Sequence, residues 1–309
     1  MTAMDRTGAG APTYQRLLRN PDAPRGFVVI GAFVILVGWM IASLIILSIQ
    51  QSIRKDPEGT VSWLGLLATN LSLIILIPLS MLVAQKLNRQ TPGLLSSVVG
   101  RLRWRPLAWF AVVAVALELV MLAVIQFGGI ELAGGERHGG GAAPDAAAVI
   151  AVTLLTSTVQ AAGEEYFFRG YLLQAVGALV RSSVVAVLVT TVLFTMAHGI
   201  LPWQSPALFL DRFAFGLVAG LLVVRTGGLE ASIAAHAANN VVTFAFAALT
   251  NSVGASLGVQ DAPWGLVTVD VVKFVAFGAV ALWLARRTKL ANVCELPPAG
   301  IPATGKRLV

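Results

Sequence analysis

The sequence predicts an all-α membrane protein, a polytopic bundle of about eight transmembrane helices. Of its 309 residues, 57% are hydrophobic and only 12% are charged. Soluble domains average about 45–50% apolar and about 25% charged residues, and disordered chains are less hydrophobic still. The third observation is a series of uncharged apolar runs of about 20 residues, the length that crosses a bilayer as a helix.

The expected spans follow one another along the whole chain. The first run, 26–53, has 28 residues without a charge, which is too long for the apolar part of a signal peptide, so we expect it to be retained. The expected spans are 26–53, 60–85, 107–127, a fourth from about 146, a fifth after 183, about 206–224, 229–249 and 265–285. No second, soluble domain fits between them.

Charge places both termini on the cytoplasmic side. When the loops are assigned alternately to two sides, 16 of the 22 Lys and Arg residues fall on the side of the termini and five on the other. Positive charge is retained on the cytoplasmic side of membranes, so both termini are expected in the cytoplasm. We expect the protein to be integral to a bacterial plasma membrane. The predicted division is a cytoplasmic tail 1–25, three helices in 26–145, a core segment 146–250, a last helix in 251–288 and a cytoplasmic tail 289–309.

The net charge of +7 does not indicate nucleic-acid binding, because basic residues of membrane proteins set topology and meet anionic lipid. We expect the lipid bilayer, and no nucleic acid, as the partner of these residues. Arg101, Arg103 and Arg105, with Trp104 between them, are interpreted as an anchor at the membrane interface. Glu118 is alone in its helix and is expected to be either protonated or bonded to a neighbouring helix, outside the site. Two charge pairs are interpreted as structural, Asp211 with Arg212 and Asp270 with Lys273.

Ionisable and amide side chains are grouped in the core segment. A charge at membrane depth costs about 2.5–3.5 kcal/mol on insertion scales, so such a group indicates function. The group consists of Glu164, Glu165, Arg169, His198, His236, Asn239 and Asn240. Four-residue spacing puts Glu165 with Arg169, Phe194 with His198 and His236 with Asn240 on shared helix faces.

Glu164 and His198 are predicted to lie at the same depth in the membrane. Each is 17 positions from Arg181, the expected tip of a hairpin between the fourth and fifth helices. A carboxylate with an imidazole in a pocket of low polarity can activate water, and a His with an Asn can donate to an oxyanion. Glu164, His198 and His236 could instead hold a metal such as zinc, although no His-Glu-x-x-His motif is present, so the cofactor, a divalent metal or none, stays open.

The three motifs Glu164-Glu165-x-x-x-Arg169, Phe194-x-x-x-His198 and His236-x-x-x-Asn240, in this order, resemble those of the CPBP family of intramembrane proteases. That family includes the CAAX prenyl endopeptidases of eukaryotes and the bacteriocin-processing or immunity proteins (the Abi family) of bacteria. The resemblance covers the core segment 146–250. It implies an intramembrane endopeptidase acting on a protein or peptide at the membrane, prenylated or not.

The resemblance also implies a role for each residue. Glu164 would be the general base that activates water, helped by His198, and His236 with Asn240 would stabilise the oxyanion. Glu165 and Arg169 would support the site as an ion pair. The family has been described both as metalloproteases and as glutamate proteases, so the resemblance does not decide the cofactor.

Two other functions remain open on the sequence. One is a bacteriocin-immunity or membrane scaffold protein that keeps the fold without proteolysis. The other is a proton-coupled transporter with Glu164 in a proton relay, although the repeat symmetry typical of transporters is not visible in the sequence.

Overall fold

The computed structural model describes residues 11–19, 23–57, 60–130, 142–258 and 260–295. His138 and most of the chain between the third and fourth expected spans lie outside the described residues. The described elements are helical, with short 3-10 turns at Tyr14–Arg16 and Pro92–Leu95. The helices are α1 (Phe27–Ile53), α2 (Trp63–Ile74), α3 (Leu76–Lys86), α4 (Trp104–Gly128), α5 (Ala146–Leu179), α6 (Ser183–Ala197), α7 (Pro206–Thr226), α8 (Glu230–Leu249), α9 (Val253–Leu257) and α10 (Trp264–Arg287).

The described part of the chain contains seven helical segments long and apolar enough to cross a membrane, together with the shorter apolar helix α6. This confirms the predicted polytopic helix bundle. The second segment is α2 and α3 together, divided at Ile75. Pro78 explains the division, because it has no N–H to donate to the carbonyl of Ile74 one turn earlier.

Burial separates peripheral helices from central ones. Only 11% of the most apolar window of α1 is buried, against 50% for α7, so α1 faces the lipid and α7 lies within the bundle. Helix α8 packs against α4 and α5, and α10 packs against α7 and α4. These central helices carry the polar side chains that the sequence places in the membrane.

The charge pairs expected from the sequence are formed. Arg212 contacts Asp211 at 2.6 Å and Lys273 contacts Asp270 at 2.7 Å. Glu118 also reaches Lys273, at 2.9 Å, so the carboxylate of α4 pairs with a neighbouring helix as predicted. The Lys273 ammonium thus lies between two carboxylates.

The two ends of the described chain meet on one side of the bundle. Thr13 and Val293 form an antiparallel bridge, and the N–H of Cys294 donates to the carbonyl of Pro12 at 2.9 Å. Cys294 is buried, so the chain at Val293 and Cys294 packs against the N-terminal segment. That both ends lie on one side agrees with an even number of spans, and its assignment to the cytoplasm stays a prediction.

Tyr14 joins the N-terminal segment to the connection between α3 and α4. Its side chain is fully buried, and its hydroxyl donates to the carbonyl of Leu95. Burial raises the pKa of Tyr14 well above its ordinary value, so the hydroxyl keeps the proton that it donates.

The expectation of an interface anchor is wrong for Arg103. Its side chain is only 9% exposed and pairs with the buried Glu230 at 2.6 Å, and it also donates to the carbonyls of Thr226 and Ala291. A guanidinium has five donors in a planar fork, so it can join several chain segments at once. Trp104, 72% exposed, still faces outward next to it.

Gly163 allows α5 to lie directly on the backbone of α2. A Cβ atom at this position would overlap the carbonyl oxygen of Leu73, which is backbone and has no rotamer to change. The close approach brings the following residue, Glu164, against the middle of the bundle. A stability measurement can test this contact.

We predict that Gly163→Ala lowers the melting temperature of the detergent-solubilised protein by about 3–10 °C, because overpacking costs about 1–3 kcal/mol. Gly38→Ala is the matched control, since a Cβ there would lie 3.4 Å from a side-chain methyl of Leu79, an ordinary contact. Differential scanning fluorimetry measures both. Equal melting temperatures for the two variants would show that α5 does not depend on the glycine.

Candidate active site

Helix α5 is longer than a single span and contains two π-helical stretches, Thr153–Ser157 and Tyr166–Leu172. Wider π turns occur often at functional sites. The second stretch begins directly after Glu164 and Glu165 and carries Arg169. All residues from Gly163 to Ala175 are buried, so these charges lie inside the protein.

A buried polar cluster, which we call the Glu165 cluster, consists of Glu165, Arg169 and His236. The predicted ion pair is present, with Arg169 Nη1 2.8 Å from Glu165 Oε1. The same oxygen lies 2.9 Å from His236 Nδ1, a contact between α5 and α8 that the sequence spacing does not predict. Since a carboxylate accepts, Nδ1 donates and the ring directs Nε2 away from Glu165.

The ring of Phe194 lies among the charged groups. The Arg169 guanidinium carbon stacks 4.0 Å from its centroid, and the ring centroids of His198 and His236 lie at 4.6 and 6.1 Å. Phe215 covers the other side of His236, at 5.0 Å between centroids. Phe194 thus packs against both histidines, and its ring face stabilises the guanidinium above it.

His198 ends a helix that is too short to cross a membrane on its own. The 15 residues of α6 span about 22 Å, less than the roughly 30 Å of the hydrocarbon core. His198 caps the helix, and Gly199 adopts a φ of 71°, a left-handed conformation that suits glycine and stops the helix. The short helix therefore presents an exposed His198 at its end.

The hydrogen bond of His198 fixes which ring nitrogen can accept. Nδ1 lies 2.8 Å from the carbonyl oxygen of Phe194, and a carbonyl can only accept, so the proton is assigned to Nδ1. Nε2 of the neutral ring is then an acceptor. Glu164 and His236 are both near enough to act electrostatically on His198.

Gln160 is a site residue that the sequence reasoning missed. Its Nε2 donates to Glu164 Oε1 at 2.5 Å, and its Oε1 accepts from Asn240 Nδ2 at 3.0 Å. The signal for it was present, since Gln160 is a polar residue in an apolar run, four positions before Glu164 and on the same helix face. Gln160 thereby links Glu164 on α5 to Asn240 on α8.

The fold therefore brings the four predicted catalytic residues to one place through intermediaries. Glu164 and Asn240 meet through Gln160, and His198 and His236 meet across Phe194. Among the described residues, none of the four hydrogen-bonds directly to another of them.

The donor set does not favour the metal site formed by Glu164, His198 and His236. Within the described ranges, no group of three or more His, Cys, Asp or Glu side chains could hold a metal ion. Structural and catalytic zinc sites need at least three such ligands. The geometry gives a metalloprotease no support.

A cavity of about 920 Å³ lies against α5. Its lining includes Tyr166, Ala162 and Ile233, together with Arg101 and Arg105. None of the four predicted catalytic residues lines it. The cavity is therefore separate from these residues, with a mostly apolar lining to which arginines contribute positive charge.

Comparison with known proteins agrees with this geometry. Residues 146–242 match the family model described as "Type II CAAX prenyl endopeptidase Rce1-like". This segment is similar to that family, and we call it the Rce1-like segment. The match confirms the resemblance seen in the three motifs.

All six predicted site residues lie within the Rce1-like segment. A relative in Bacillus subtilis (strain 168), described as uncharacterized protein YyaK, is 29% identical over 147 residues. The alignment covers 45% of this chain and 49% of YyaK, so the chain spans about half the length of that curated relative. No solved structure gives a significant match.

We predict that Glu165→Gln lowers the stability of the solubilised protein by about 3–5 kcal/mol, because it leaves the buried Arg169 without its counter-charge. Chemical denaturation of the purified protein would measure the loss. The control is Arg54→Gln, which removes an ion pair whose Arg side chain is 51% exposed and should cost less than about 1 kcal/mol. Similar losses in both variants would contradict a special contribution of the Glu165 cluster.

Proposed function

We propose that the protein is an intramembrane endopeptidase that hydrolyses a peptide bond of a membrane-associated protein or peptide precursor, with water activated by Glu164 and His198. One observation carries the proposal. The buried carboxylate of Glu164 lies near enough to the imidazole of His198 to act on it electrostatically, and both residues belong to the Rce1-like segment.

Two acceptors are available for the hydrogens of one water. Among the described residues, Gln160 bonds to Oε1 of Glu164 and leaves Oε2 available, and His198 offers Nε2. A water that donates to both would point a lone pair at the substrate carbonyl. As this oxygen attacks the carbonyl carbon, Glu164 takes the water proton and later gives it to the amine that leaves.

His236 and Asn240 are suited to the negative oxygen of the tetrahedral intermediate. The amide nitrogen of Asn240 uses one hydrogen for Gln160 and keeps the other for the oxyanion. His236 would donate through Nε2, which requires a proton on both ring nitrogens because Nδ1 serves Glu165. Donors fixed before the reaction stabilise an oxyanion best.

The substrate is proposed to enter from the membrane. The site lies among helices that are long and apolar enough to span a bilayer, and the mostly apolar cavity against α5 has room for part of a lipid chain. A lipid-anchored peptide, prenylated or not, is therefore the substrate class to test first. The excess of positive charge near the termini favours cleavage near the cytoplasmic face.

We predict that Glu164→Gln and His198→Ala each lower the rate of peptide cleavage by about 10²–10⁴-fold, the range of general acid–base contributions. The measurement uses purified protein in detergent with libraries of lipidated and unlipidated peptides, resolved by mass spectrometry. Glu230→Gln is the control, since it makes the same chemical change at a buried carboxylate that pairs with Arg103. It should retain the rate of wild type per folded molecule.

Other results would indicate another function. Loss of cleavage in Glu230→Gln to the same degree would mean that general damage, and not chemistry, explains the variants. A folded wild type that cleaves no peptide, with Glu164→Gln still functional in cells, would indicate the immunity or scaffold function. Transport driven by a proton gradient would indicate the transporter.

A further inference from the structure

A row of polar side chains continues from the proposed active site to helix α10. It begins at Glu164, passes Gln160, Asn240 and Asn239, and ends at Lys273. The first two residues belong to α5, the next two to α8 and the last to α10. The row therefore crosses three helices, and its last member, Lys273, lies beyond the Rce1-like segment.

One end of the row can only donate hydrogen bonds. The Lys273 ammonium lies 2.9 Å from Glu118 and 2.7 Å from Asp270, and it donates to Asn239 Oδ1 at 3.0 Å. An ammonium has three donors and no acceptor. Asn239 must therefore present its oxygen to Lys273, which leaves its NH₂ group to donate to Asn240.

The other end of the row can only accept. Glu164 as a carboxylate has no proton to donate, so Gln160 must present its NH₂ group to Glu164 and its oxygen to Asn240. Asn240 then presents its own NH₂ group to Gln160. Its oxygen faces Asn239 Nδ2 at 3.5 Å, the longest and weakest step of the row.

The directions set by the two ends agree. Three amides lie between a pure donor and a pure acceptor, and each could be reversed if it stood alone, since its oxygen and nitrogen differ little in size. Because both ends impose the same direction, every amide has one favoured orientation. Hydrogen bonds in such a series also polarise one another in surroundings of low polarity.

We propose that Lys273 is a positioning residue for the active site, which acts through Asn239 to keep the NH₂ group of Asn240 directed at the reaction centre. The proposal rests on the proposed function, in which that NH₂ group meets the oxyanion. Lys273 touches no reacting atom. Its carboxylate partners, Glu118 and Asp270, hold the ammonium in place.

The first test removes the link between Lys273 and Asn240 without disturbing the charges. Asn239→Leu should lower kcat about tenfold and change KM less than twofold, because the substrate still binds while the oxyanion donor is less often oriented. Asn70→Leu is the matched control, since Asn70 is also a buried amide in a membrane helix, bonded to Thr156 and Ser157. It should leave kcat per folded molecule unchanged.

Substitutions of Lys273 test whether direction, and not mere contact, matters. Lys273→Arg keeps a pure donor and should retain kcat within about threefold. Lys273→Gln can donate or accept, so it no longer orients Asn239, and its kcat should fall about tenfold. Equal kcat values for Lys273→Arg and Lys273→Gln, or a wild-type kcat for Asn239→Leu, would overturn the proposal.

A second measurement does not depend on catalysis. Lys273 and Gln160 lie on different helices and share no hydrogen bond with each other, so independent substitutions would add. If the row couples them, the melting temperature of Lys273→Gln with Gln160→Leu should differ from the additive value by more than about 2 °C. Additive melting temperatures would overturn the proposed row. If the two substitutions are coupled but the wild-type protein cleaves no peptide, only the proposed function is refuted.

Discussion

The buried carboxylate of Glu165 is the group on which the rest of the site depends. It contacts Arg169 at 2.8 Å and His236 at 2.9 Å through one oxygen, and Glu165 and Arg169 are both almost completely shielded. A charge taken out of water is tolerated only when it is paired and hydrogen-bonded, so α5 and α8 must keep this arrangement. The contact of Glu165 with His236 also positions Glu164 and Asn240, since Glu164 adjoins Glu165 in the chain and Asn240 lies one turn after His236.

The site combines an interaction that positions helices with one that orients hydrogen-bond donors. The Glu165 cluster lies among the rings of Phe194 and Phe215, where water has little access and electrostatic interactions are strong. The row of amides from Gln160 to Asn239 carries no charge of its own and supplies direction. The cluster fixes where the helices lie, and the row fixes which way the donors point.

Local departures from regular helices make this geometry possible. The π stretch after Glu165 and the early end of α6 at His198 both occur next to predicted site residues. Gly163 permits the close contact of α5 with α2. Polar backbone at membrane depth is tolerated where it is buried in protein or lines a cavity, and here it surrounds the proposed reaction centre.

The sequence by itself determined the fold class, the order of the spans and which residues share a helix face, because apolar length and 3.6-residue periodicity are local properties. It therefore also determined the pair of Glu165 with Arg169. The tertiary structure alone decided the contacts of His236 with Glu165, Asn240 with Gln160, Arg103 with Glu230 and Lys273 with Glu118. These partners are 71, 80, 127 and 155 positions apart, and no local spacing encodes which faces of two distant helices will pack together.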